Sequence, residues 1–158
     1  MAIRQRNMGA GAVRLQSVVS GNTATDVSSG TGKFLGAAPR TSVQVDELSV
    51  TVGNCHAGTA TSDGSEVVTF RAVRNDYATD GVVIATATLP VGTALGGEMT
   101  TRDGTIAWQS DGATDYRNVS NRVFEKGTTF WASNDAGSAS RDLFIVSLSS
   151  SEFGAAPN

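Results

Sequence analysis

Two stretches decide the fold class: Val67-Val68-Thr69-Phe70-Arg71-Ala72-Val73 and Val82-Val83-Ile84-Ala85-Thr86-Ala87-Thr88-Leu89. Both are rich in β-branched residues and too short for ordinary globular helices, which marks them as strands. The second is apolar or small at both parities, the pattern of a centrally placed strand. Pro90 ends it, because proline has no N–H to give to a ladder.

The same pattern continues in both directions. Upstream, Val43 and Val45 share one parity while Leu48, Val50 and Val52 share the other. Strand side chains alternate, so the switch at Asp46-Glu47 requires a bulge or a turn, giving one bent strand or two short ones. Downstream, Thr105 to Gln109, Thr128 to Ala132 and Leu143 to Leu148 complete the set. The breaks carry four Asp-Gly pairs, at 63–64, 80–81, 103–104 and 111–112, and an Asn134-Asp135-Ala136-Gly137 cluster. Asp-Gly supplies the positive φ values that tight hairpin turns need. Only Ala113 to Lys126 is glycine-free with helical spacing, and Asn118, Ser120 and Asn121 are poor helix formers there. About eight short strands with such punctuation predict an all-β chain. The expected fold is an antiparallel β-sandwich, jelly-roll-like, with a small β-barrel as the alternative.

The chain has 158 residues, enough for one domain of ordinary size. Ser and Thr number about 35, and with the 18 glycines they make up roughly a third of the chain. Part of that third lies in residues 1–40, where one apolar run (Val13, Leu15, Val18, Val19) sits among Gly, Ser, Thr and Asn. The resulting division is an extended N-terminal arm over 1–40, a β-sandwich over 41–150 and a C-terminal tail over 151–158. On this reading, removing residues 2–30 leaves the β-domain folded. Arg4, Arg6, Arg14, Val13, Leu15 and Val18 are the arm's candidate contacts with a partner.

Charge and cysteine content narrow the function. The net charge of -3 argues against a nucleic-acid surface, and no apolar stretch is long enough to span a bilayer. One cysteine, Cys55, cannot form an intramolecular bridge, which fits synthesis in a reducing cytoplasm. No apolar signal core follows the basic residues of Met1 to Gly9, so export by a standard route is not expected. Ten of the twelve basic residues are arginine, the cation better suited to interfaces.

The search for chemistry yields little. Adjacent Cys55 and His56 would point to opposite strand faces, and no Gly-x-Ser-x-Gly elbow accompanies the single histidine. Zinc would need more Cys or His ligands than the chain owns, and Ser29-Gly30-Thr31-Gly32-Lys33 lacks the leading glycine and closing hydroxyl of a phosphate loop. The aspartates fit turns better than a calcium loop. The expectation is a non-enzymatic protein with no cofactor and no metal. Trp108, Tyr116 and Trp131 could stack on sugar rings, so a carbohydrate-binding sandwich is the alternative from another class.

An arm rich in Gly, Ser and Thr leading into a Thr/Val/Gly-rich β-domain, Arg-heavy and histidine-poor, resembles a bacteriophage virion protein, most of all a capsid decoration or cement protein. The likeness is one of layout across the whole chain. It implies a β-domain on the capsid surface of the virion, bound to the major capsid protein and commonly a homotrimer, with terminal segments reaching across neighbouring capsomers. A tail or fibre component is the nearest rival.

Overall fold

The computed structural model describes residues 12–20, 33–37, 42–54, 66–73, 82–109, 122–134 and 143–152. These form ten strands and no helix: β1 (Ala12–Ser20), β2 (Lys33–Ala37), β3 (Val43–Asn54), β4 (Glu66–Val73), β5 (Val82–Leu89), β6 (Glu98–Thr100), β7 (Ile106–Trp108), β8 (Val123–Phe124), β9 (Thr129–Asn134) and β10 (Leu143–Glu152). They divide into two antiparallel five-stranded sheets. Sheet A runs β1-β10-β3-β6, with β8 also paired to β3, and sheet B runs β2-β9-β4-β5-β7.

The ladders are nested. β4 pairs with β5, β3 with β6 and β8, β2 with β9, and β1 with β10. Such nesting describes one long hairpin with its tip at the β4–β5 connection. Rolling that hairpin up creates the β10–β3 and β9–β4 pairs, and β7 adds to β5 at the edge of sheet B. This is the pairing scheme of a jelly roll, an open sandwich and not a closed barrel.

The core lies between the sheets. Sheet A contributes Val45, Leu48, Val50 and Val52 from β3 with Phe144, Val146 and Leu148 from β10, and sheet B answers with Val68, Phe70, Ala85, Ala87, Leu89, Phe130 and Ala132. Phe124 of β8 and Phe130 of β9 meet edge to face across the sandwich, with centroids 5.3 Å apart, a favoured aromatic geometry.

The parity switch in β3 is a bulge. Ser149 of β10 is opposite Glu47 and Ser150 is opposite Val45, which leaves Asp46 as the extra residue. The strand continues through it, and Val43, Val45, Leu48, Val50 and Val52 all reach the core. A bulge also explains β5. Phe70 is opposite Ala85 and Arg71 opposite Val83, so Ile84 is inserted and buried out of alternation. β5 is an interior strand, although β7 covers only three of its residues.

Two segments of the expected arm are strands of the sandwich, so the boundary at residue 40 is corrected. β1 pairs residue for residue with β10, from Ala12 opposite Ser151 to Ser20 opposite Leu143, and Leu35 of β2 is buried. Glycine and serine flanks hide β1 in the composition, yet its alternation matches β10. Residues 1–11, 21–32 and 38–41 lie outside the described residues. The tail boundary moves too, because β10 extends to Glu152, while 153–158 lie outside. Asp103-Gly104 is a turn with Gly104 at φ 79°, but it joins β6 of one sheet to β7 of the other and is no hairpin. The other three Asp-Gly pairs lie outside the described residues. So does 113–121 of the glycine-free stretch, whose later part contains β8.

Candidate interaction surface

The connection from β5 to β6 crosses from sheet B to sheet A in eight residues, Pro90-Val91-Gly92-Thr93-Ala94-Leu95-Gly96-Gly97. It consists of two successive turns. Thr93 N donates to Pro90 O at 3.3 Å around Gly92 at φ 86°, and Gly97 N donates to Ala94 O at 2.8 Å around Gly96 at φ 79°. A positive φ at the third position is the signature of a type II turn and favours glycine there. Each turn therefore presents the residue before its glycine at a corner. Those residues are Val91 and Leu95, 65% and 56% exposed.

The loop is held firmly. Thr93 Oγ1 donates to Pro90 O at 2.7 Å. The second turn is tied to β3 by Gly96 N to Val52 O at 2.8 Å and by Val52 N to Gly97 O at 3.0 Å. A Cβ on Gly97 would fall 2.8 Å from Ala94 O, so this close approach requires glycine.

Ile145, 40% exposed, is the third large apolar side chain left open among the described residues. It lies at the same end of the sandwich. A Cβ on Gly53, the neighbour of Val52, would lie 3.2 Å from Ile145 Cγ1, and Ile145 and Glu98 both pair with Thr51 from opposite sides. Scattered exposed apolar residues are ordinary, but two on a rigid double turn tied to β3 make an ordered contact surface, with Ile145 level with it on β10 across β3.

The predicted site residues are spread over other places. Arg4, Arg6 and Tyr116 lie outside the described residues, as do Cys55 and His56. Arg14 is exposed on the outer face of sheet A, where its Nη2 donates to Ser147 Oγ at 3.4 Å and Ser147 shares a 2.6 Å hydrogen bond with Ser49. Leu15 packs against the core, so it belongs to the sandwich and not to a free arm. Val13 and Val18 are β1 residues whose Cα partners are Ser150 and Ile145.

Trp108 and Trp131 do not come together. Trp131 shares an outward parity with Arg71, its Cα partner, between buried Phe130 and Ala132, and its Nε1 donates to Thr129 Oγ1 at 3.0 Å. Trp108 shares the parity of buried Ile106 and packs against the core at the edge of sheet B. The Arg122 guanidinium covers its ring at 4.8 Å from the centroid. Sheet B thus lies between the two indoles.

Among the described residues no three His, Cys, Asp or Glu side chains gather in a metal-binding group. The Asp103 carboxyl is held below its ordinary range. Hydrogen bonds from the Thr105 hydroxyl, at 2.6 Å, and then from its N–H, at 2.9 Å, stabilise the charged form. Those bonds, with Asp103 N to Thr100 Oγ1 at 3.1 Å, close the β6–β7 turn, which is structural.

Asp-Gly pairs mark other turns and leave the double turn unmarked. The available signal was Val-Gly and Leu-Gly four residues apart, directly after Pro90. No protein-family model, curated protein or solved structure matches the chain.

Proposed function

We propose that the chain is a non-enzymatic structural protein of a bacteriophage virion that binds to the major capsid protein and stabilises the shell. The observation that supports this reading best is the rigid double turn presenting Val91 and Leu95 to solvent. A loop ordered before binding loses little entropy when it docks, and its apolar corners gain from leaving water. Ten arginines among the twelve basic residues agree with an assembly role, as does the resemblance in layout to decoration proteins. Many weak, repeated contacts over a shell add up to strong retention.

The experiment compares the wild-type chain with a Val91→Asp, Leu95→Asp double variant for binding to shells of the parent virus that lack the protein. Both positions are exposed, so the variant should melt as the wild type does. Wild-type protein is expected to decorate the shells, and the variant to lose at least about tenfold in affinity. Equal binding by both proteins sinks the docking role of this loop. A wild-type protein found only on tails by electron microscopy replaces the capsid reading with the tail one.

A further inference from the structure

Each sheet edge presents a row of unpaired N–H and C=O groups, and folded proteins blunt such edges with bulges, proline, lysine or short strands. Three of the four edges here are blunted. Sheet A ends on one side in β6 and β8, of three and two residues; sheet B ends in β7, of three residues, and in β2, whose register shifts between Phe34 and Gly36. The fourth edge differs. β1 follows β10 for nine residues without a register shift and contains no proline, glycine or lysine; its one charge, Arg14, reaches back to Ser147 of β10, away from the open side. Among the described residues, no strand pairs with its other side.

We propose that this edge pairs with a second copy of itself, β1 antiparallel to β1 about a two-fold axis at Gln16, making one ten-stranded sheet from two copies of sheet A. The sequence of β1 suits itself as a partner. Core-facing parity meets core-facing parity only in registers whose paired residue numbers sum to an even value, and full overlap of Ala12–Ser20 is one of these. In that register Val13 is opposite Val19, Leu15 opposite Ser17, Arg14 opposite Val18 and Gln16 opposite Gln16. The strand's one charge therefore falls opposite an apolar residue, and no like charges face each other. Alternate residues of an antiparallel strand turn both backbone groups the same way, so about half of β1 has hydrogen bonds to offer the second copy. Two-fold pairing is also the commonest closed symmetry for identical chains. This inference needs only the purified chain and is independent of any capsid role.

The test uses the full chain. Gln16 is exposed, so a charge there is tolerated by the monomer, where it meets only Arg14 of its own strand, whose guanidinium reaches Ser147 opposite Gln16; in the dimer it also meets residue 16 of the second copy. Wild-type protein is expected to sediment as a dimer. Gln16→Lys and Gln16→Glu should each weaken the dimer roughly fivefold, and an equal mixture of the two should restore it. In a Cys55→Ser background, Gln16→Cys should oxidise to a disulfide-linked dimer. Arg14→Cys should not, because its two copies would sit about 14 Å apart along the strands, beyond the reach of a disulfide. A wild-type monomer or trimer overturns the proposal, as does a mixture no tighter than its components, or cross-linking at position 14 equal to that at 16.

Discussion

A Cβ built on Gly36 would lie 2.5 Å from Leu15 Cδ1 and 2.7 Å from Cδ2, where β1 of one sheet meets β2 of the other. The two residues form one small joint. Gly36→Ala should cost about 1–3 kcal/mol by overpacking, and Leu15→Ala should cost a similar amount through lost burial. In the double variant the methyl of residue 36 fills part of the space that Leu15 vacates. Urea denaturation of all four proteins should therefore give a total loss smaller than the sum of the single losses. Asp103 allows a second measurement at this scale. Its carboxyl is depressed in the folded state, so its contribution to stability is present above the ordinary carboxylate range and is lost as pH falls through the lower folded value. NMR titration should place its midpoint below that of an unstructured aspartate. Thr105→Val removes the first and largest cause and should raise the midpoint, whereas an unchanged midpoint would refute the assignment.

At the scale of elements, β1 is the piece whose role changed most between sequence and structure. Deleting residues 1–20 would expose the nine-residue edge of β10 and remove Leu15 from the core. The expected cost is about 3 kcal/mol or more, seen as loss of a sharp thermal transition. A truncated protein that melts as cooperatively as the full chain would show that β1 is an appendage after all. The longer central strands were legible because their alternation spans enough residues to stand out, and Val43 to Val52 even disclosed its bulge. β1 and β2 were not, because their flanks carry the composition of a linker and a five-residue strand shows little periodicity. β6 and β8 owe their strand geometry to pairing with β3, a tertiary contact with almost no local trace. The contact surface was equally hidden. Val91 and Leu95 resemble any apolar residues until the turns fix them outward.

For the whole molecule, nesting of the ladders puts the most distant segments side by side. The β4–β5 hairpin can close locally, but β1 must wait for β10, the last strand in the order. Ladders between remote segments pay for loop closure before any contact returns it, so chains of this topology fold over milliseconds to seconds. Newly made chain therefore passes through an interval in which β3 lacks one of its neighbours and β1 has none. In that interval two growing chains can exchange N-terminal strands as readily as each can complete its own. Crowding during synthesis thus becomes a hazard set by the order of the strands, and chaperone occupancy before β10 emerges is its natural remedy.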